Sequence, residues 1–123
     1  MTSVPNSGAV LPPTEAFLEN QTVWATAAWF DQNGNPFIPA AASYRLDYIV
    51  GYEQGVLDSV QVLAWTALTP ATTNTVVITS AQNALVSATG SSELHQVLFQ
   101  CTDAAGNTNY ARGLYNLVRV AGG

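Results

Sequence analysis

The stretch Ser43-Tyr44-Arg45-Leu46-Asp47-Tyr48-Ile49-Val50 carries the clearest structural signal in this chain of 123 residues. Its apolar residues Tyr44, Leu46, Tyr48 and Val50 alternate with Ser43, Arg45, Asp47 and Ile49. Because successive side chains of a β-strand point to opposite faces, this period of two predicts a strand with one apolar face and one largely polar face. The stretch therefore indicates a sheet that covers a core with one side.

Four further stretches predict strands around the first one, at residues 22–30, 73–80, 93–102 and 109–120. In the earliest of them, Val23, Ala25, Ala27 and Trp29 share one face. In 93–102, we expect His95, Val97, Phe99 and Cys101 to point inward while Gln96 and Gln100 point outward. The facing of the last strand stays open, and Gly113 indicates a β-bulge within it.

The connecting segments are typical of turns between strands. Asp31-Gln32-Asn33-Gly34-Asn35-Pro36 and Asp103-Ala104-Ala105-Gly106-Asn107 each place a glycine where a tight turn needs a positive φ. Residues 51–64 are interpreted as a longer excursion off the sheet, and residues 87–92 as a small-residue loop. The sequence therefore predicts an all-β antiparallel β-sandwich over residues 14–123, preceded by a flexible or partner-bound N-terminal arm at residues 1–13.

Charge excludes several classes of function. The chain has a formal net charge of −5, and only 9% of its residues are charged, whereas 37 are Ser, Thr, Asn or Gln. Three scattered arginines cannot neutralise a run of phosphates, so we expect no direct binding of nucleic acid. Because no apolar run is long enough to cross a bilayer and residues 1–10 lack the pattern of a signal peptide, we expect no membrane contact and no export.

The residues that could carry chemistry favour structural interpretations. His95 is the only histidine, and Cys101, the only cysteine, is best read as a small buried apolar residue. The segment 31–35 has the wrong glycine position for a calcium loop and is interpreted as a turn. Asp47, Glu53 and Asp58 are interpreted as solvated acids rather than a glycosidase pair. The sequence thus predicts no enzyme and no catalytic, cofactor-binding or metal-binding residue.

The aromatic residues allow two interpretations. A platform for sugars is one, and core or interface packing is the other and the better supported, because a sandwich normally holds one tryptophan between its sheets. We expect Trp65 or Trp29 to be that residue. The aromatic residues in question are Trp24, Trp29, Trp65, Tyr44, Tyr48, Tyr52, Tyr110 and Tyr115.

An ordered series of short motifs resembles a known group of proteins. It consists of Tyr44-Arg45-Leu46-Asp47, Trp65-Thr66 with Pro70, Thr75-Val76-Val77-Ile78-Thr79, Asn83-Ala84-Leu85-Val86, Glu93, Leu98-Phe99-Gln100 and Tyr115-Asn116-Leu117-Val118. In order and spacing the series resembles small virion structural proteins of tailed bacteriophages, over residues 39–120. The turn 102–108 is similar to the turn between the last two strands of bacterial immunoglobulin-like domains, which implies an immunoglobulin-like sandwich of about seven strands. The stretch 51–61 and the N-terminal arm depart from the phage pattern.

The resemblance implies an architectural function in the virion, whose proteins assemble in the host cytoplasm. The first expectation is an outer-capsid decoration, or cement, protein that bridges copies of the major capsid protein. Its low charge also leaves sheet edges without lysines, so we expect a homo-oligomer, and the resemblance suggests a trimer. One alternative is a structural protein of the tail or the head-to-tail junction. Another is a carbohydrate- or receptor-binding module that uses the loops 51–64 and 87–92.

Overall fold

The computed structural model describes the backbone at residues 6–9, 15–53, 56–87 and 90–120, and side chains at 16–51, 59–87 and 90–120. Every regular element in this part of the chain is a β-strand. The strands are β1 (Asn6–Ala9), β2 (Glu15–Leu18), β3 (Val23–Phe30), β4 (Ala41–Glu53), β5 (Val56–Leu68), β6 (Thr73–Ile78), β7 (Ser92–Thr102) and β8 (Thr108–Val118).

The strands form two sheets that pack against each other. The three-stranded sheet has the order β1-β3-β6, and the five-stranded sheet has the order β2-β8-β7-β4-β5. Neighbouring strands run antiparallel except β2 and β8, which run parallel. Because apolar side chains from both sheets meet in a single core, the predicted β-sandwich is confirmed, with eight described strands. Its assignment as immunoglobulin-like stays a prediction.

The three-stranded sheet covers the core with the face that the sequence predicts. Val23, Ala25, Ala27 and Trp29 of β3 are buried, and the residues between them are more exposed. Trp29 is 0% exposed, and its indole Nε1 donates a hydrogen bond to Asn74 Oδ1 at 3.0 Å. Trp29 is therefore the core tryptophan, whereas Trp65, the other candidate, is 41% exposed on the opposite sheet.

The centre of the five-stranded sheet also follows the predicted pattern. His95, Val97, Phe99 and Cys101 of β7 are all buried, as expected. On β8, Ala111, Tyr115 and Leu117 turn inward, which decides the facing that the sequence left open. Gly113 lies opposite Val97 in an unbroken register, so the prediction of a bulge at Gly113 is wrong.

The irregular part of the sheet lies in the hairpin of β4 and β5. The prediction of an excursion at 51–64 is wrong, because residues 51–53 continue β4 and residues 56–64 form most of β5, while 54–55 lie outside the described residues. The register shifts three times along the pair: Val62 is an extra residue on β5, Arg45 lies opposite both Ala64 and Trp65, and Val50 is an extra residue on β4. The last shift leaves Val50 52% exposed, although alternation placed it on the apolar face. Gly51 follows with a φ of 155°, which a glycine tolerates.

The N-terminal segment contributes a strand to each sheet. Residues 6–9 of the expected arm form β1, which pairs with β3, while the rest of the arm lies outside the described residues. The next strand, β2, pairs with β8 in the other sheet. Within the described ranges there is no helix of the length and apolar character that crossing a bilayer demands.

Candidate functional site

The outward side of the five-stranded sheet carries a compact polar cluster, formed by Arg45, Asp47, Trp65 and Gln96 and called here the Arg45 cluster. Arg45 Nε and one terminal nitrogen donate to the Asp47 carboxylate at 2.6–3.1 Å. Gln96 Nε2 donates to Asp47 Oδ2 at 3.2 Å, and the Arg45 guanidinium lies 5.6 Å from the centre of the Trp65 ring. The β4 and β7 register brings Asp47 opposite Gln96, and the bulge in β5 places Trp65 beside Arg45.

The Arg45 cluster differs from the predicted solvated polar face. Asp47 is only 2% exposed, so the prediction of a solvated acid is wrong. Gln96 points outward as expected, yet it is only 5% exposed. The carboxylate is stable there because its oxygens accept hydrogen bonds from charged and amide donors. The hydrogen bond with Asp47 raises the pKa of Arg45, which keeps the guanidinium charged.

Apolar side chains surround the Arg45 cluster on the same outward side. Register places Ile49, Leu94, Leu98 and Leu114 there, and Ile49 is 8% exposed. The three leucines are half-buried, although no described strand covers them. The cluster and its leucines thus form a closely packed surface that can contact another molecule by shape and apolar burial.

A second cluster is buried at one end of the core and is formed by Glu93 and His95. His95 Nε2 lies 2.9 Å from Glu93 Oε1, and the imidazole stacks on Tyr48 at 5.6 Å between ring centres. The Glu93 carboxylate also accepts hydrogen bonds from the backbone N–H groups of Val86 and Ser87. Both side chains are about 98% buried. The pair therefore fixes the segment that precedes β7.

The protonation of this pair makes stability sensitive to acid. Burial lowers the pKa of His95 below its ordinary value of 6.5 and outweighs the opposing effect of Glu93. Burial by itself would raise the pKa of Glu93, but hydrogen bonds from His95, Ser87 and Val86 outweigh it and the pKa lies below 4.5. On acidification, the unfolded chain therefore binds protons before the folded chain does.

We expect the free energy of unfolding to fall as the pH drops below 6.5, and to fall further below 4.5. Replacing His95 by glutamine should remove the first part of this loss, because glutamine does not titrate. Urea unfolding of both proteins at a series of pH values tests this. Parallel pH profiles for the native chain and the His95→Gln variant would contradict it.

Cys101 lies on the inner face of β7 and is 1% exposed. Burial raises the pKa of its thiol to about 11, so the thiolate that would act as a nucleophile is scarce at neutral pH. The structure also brings no group of three or more His, Cys, Asp or Glu side chains together for a metal ion within the described ranges. Cys101 accordingly packs as a small apolar residue.

The two predicted turns share one hydrogen-bonding pattern. In each turn the first residue is an aspartate. Its Oδ1 accepts hydrogen bonds from the backbone N–H groups of the third and fifth residues at 2.9–3.0 Å. The aspartate carbonyl accepts the glycine N–H at 3.0 Å, and Gly34 and Gly106 have φ values of 82° and 90°. The Asp31 and Asp103 carboxylates are thus used within their own turns, and Asp31 belongs to a turn as expected.

The remaining candidates are dispersed. Glu53 and Asp58 belong to β4 and β5, but their side chains, like that of Tyr52, lie outside the described residues. In the predicted loop 87–92, Arg119 donates to the carbonyls of Ser87 and Gly90 at 3.0 Å, Ser92 already begins β7, and residues 88–89 lie outside the described residues. The alternative sugar site was predicted on the loops 51–64 and 87–92. Residues 51–53 and 56–64 are strand residues of the β4 and β5 hairpin, so the first of these loops is not available for such a site.

Sequence reasoning missed two contacts that organise this end of the sandwich. Glu93 and His95 are two residues apart on one strand, so they share a face, and this spacing could have revealed the pair. The bond from Tyr115 Oη to Asn83 Oδ1, at 2.7 Å, joins residues 32 positions apart. The Asn83 side-chain amide also donates a hydrogen bond to the Gln21 carbonyl at 2.7 Å. No local sequence pattern predicts either contact.

Comparison with known proteins gives no assignment: neither a family model nor a curated protein matches this chain.

Proposed function

We propose that this protein is a structural component of a tailed-phage virion. The role we propose first is that of a decoration protein on the outer surface of the capsid. The observation that carries the proposal is the spatial arrangement of the resemblance motifs. Tyr44-Arg45-Leu46-Asp47 and Trp65-Thr66 lie 18 or more positions apart, yet Arg45 contacts both Asp47 and Trp65. Chance matches to short motifs would be expected to scatter over the fold.

A second pair of motifs also meets in the fold. Asn83, which opens the motif 83–86, accepts the hydrogen bond of Tyr115, which opens the motif 115–118. Glu93 accepts the backbone N–H of Val86, the last residue of the motif 83–86. Residues of different motifs in the series therefore contact one another in the folded sandwich. These contacts support a shared fold with the phage proteins. The sheet order also supports an immunoglobulin-like form, because β1 belongs to the three-stranded sheet and β2 to the five-stranded sheet.

The surface supports an architectural function over catalysis. The described ionisable groups of the core and turns serve internal hydrogen bonds, as Glu93, His95 and Asp103 illustrate. Large apolar side chains remain exposed on both sheets, for example Trp24 at 62% and Trp65 at 41%. A surface with few charged residues and with exposed aromatics suits repeated contacts across a lattice, where many copies add small binding energies.

Loss of the protein should weaken the capsid without blocking its assembly. Particles that lack the chain are expected to release their genome at a lower temperature than complete particles, because the contacts between capsid subunits are fewer. Release is followed by the fluorescence of a DNA dye during heating. Adding the folded recombinant chain should restore the original temperature, and adding the heat-denatured chain should not. Identical release temperatures with and without the chain would contradict decoration, and failure to form heads with tails would indicate the tail or the junction.

A further inference from the structure

β6 forms one edge of the three-stranded sheet, and this edge has the properties of one that can pair with a strand of another molecule. Of the four edge strands, β1 and β2 contain only four residues each, and β5 carries the bulges at Val62 and at Ala64 and Trp65. Bulges protect an edge because they disturb the spacing of its backbone groups. β6 is different, since Thr73–Ile78 pairs with β3 in an unbroken register.

The hydrogen bonds of β6 show which backbone groups face the open edge. Trp29 N–H donates to the Thr72 carbonyl at 3.0 Å, in the same register as the ladder of β3 and β6. Hydrogen-bonded pairs alternate along an antiparallel ladder, so Asn74, Val76 and Ile78 bond to β3. The N–H and C=O groups of Thr73, Thr75 and Val77 therefore point away from β3, where no described strand lies beyond them.

We propose that this edge pairs with the same edge of a second copy, antiparallel and centred on Thr75. A twofold axis at Thr75 places Thr75 opposite its counterpart and Thr73 opposite Val77 of the other copy. In this register the N–H and C=O of Thr73, Thr75 and Val77 all find partners, so the edge is complementary to itself. A continuous sheet of six strands results.

The side chains of β6 also suit a second copy. The strand TNTVVI has no charged residue, no proline and no glycine, so two copies meet without repulsion between like charges. Val77 is 47% exposed and lies across from Trp24, which is 62% exposed, on the outward side of the sheet. Pairing brings Val77 against Thr73 of the other copy and covers part of this apolar surface.

Proline at position 75 tests the backbone part of the proposal. Because the Thr75 N–H points away from β3, the Thr75→Pro variant keeps the ladder inside its own sheet and loses only a bond at the open edge. The matched Thr75→Ala variant loses the same hydroxyl contact with Thr26, at 2.9 Å, but keeps the N–H. Sedimentation velocity over a range of concentrations should show a dimer whose association constant drops at least about tenfold in Thr75→Pro relative to Thr75→Ala.

Opposite charges at position 75 test the twofold axis without any change of backbone. Thr75 is exposed, so Thr75→Lys and Thr75→Glu should both fold, and each should dimerise more weakly than the native chain because identical charges meet on the axis. An equal mixture of the two should dimerise more strongly than either alone, and salt should reduce this recovery.

Three results would overturn the proposal: a native chain that stays monomeric at all accessible concentrations, a dimer equally strong in Thr75→Pro and Thr75→Ala, or a mixture of charged variants that shows no recovery. Circular dichroism of each variant checks that it is folded. These experiments use the purified chain alone, so their outcome does not depend on the virion assignment.

Discussion

Replacing Trp29 by alanine should lower the free energy of unfolding by about 3–5 kcal/mol, the range for removing a large buried aromatic side chain. Trp29 is 0% exposed and belongs to the core shared by both sheets. The variant leaves a cavity that the surrounding strands cannot fill, and it also removes the only donor that Asn74 Oδ1 has among the described contacts. Urea unfolding followed by circular dichroism gives the difference.

Trp24 provides the matched control for Trp29. It lies on the same strand, five positions earlier, but its side chain points outward and is 62% exposed. Trp24→Ala should change the free energy of unfolding by less than about 1 kcal/mol. Equal losses in the two variants would contradict the assignment of Trp29 to the space between the sheets.

Replacing Glu93 by alanine should lower the free energy of unfolding by at least about 3 kcal/mol, because three hydrogen bonds to one carboxylate are lost and each is worth about 1–3 kcal/mol. The change leaves the buried His95 and the part-buried N–H groups of Val86 and Ser87 without the carboxylate that accepts their hydrogen bonds. It also releases the segment before β7, so amide hydrogen exchange at Val86 and Ser87 should accelerate together with the loss of stability. The same urea experiment at neutral pH measures the cost.

Glu19→Ala serves as the comparison for Glu93, because it removes the same charge from a more open place. Glu19 Oε1 accepts one hydrogen bond, from the Val120 N–H at 3.0 Å, and this contact is exposed. A loss below about 1 kcal/mol is expected. If Glu93→Ala were as mild as Glu19→Ala, the buried network would have no structural importance.

Local patterns predicted the strands of this fold well where the register is regular. The alternation in β3 and the inward residues of β7 follow from side chains that point to opposite faces in turn. The aspartate turns follow from glycine at a position that needs a positive φ. These features depend only on residues close together in the chain.

The errors come from features that depend on distant residues. The hairpin of β4 and β5 includes residues 51–53 and 56–64, and its register shifts three times. These shifts depend on how the two strands pair, and no local sequence pattern contains that information. The burial of Asp47 depends on Arg45 and on Gln96, which lies 49 positions away in the sequence. Gly113 appeared as a bulge because glycine often marks one, yet the neighbouring strand holds it in register.

Immunogold electron microscopy of phage particles, with an antibody against the recombinant chain, tests the proposed virion role most directly. Blocking the antibody with an excess of the recombinant chain controls for unspecific label. We expect gold spread over the head. Gold confined to the neck or tail would contradict decoration and assign the protein to tail architecture, and particles without gold would contradict the virion role itself.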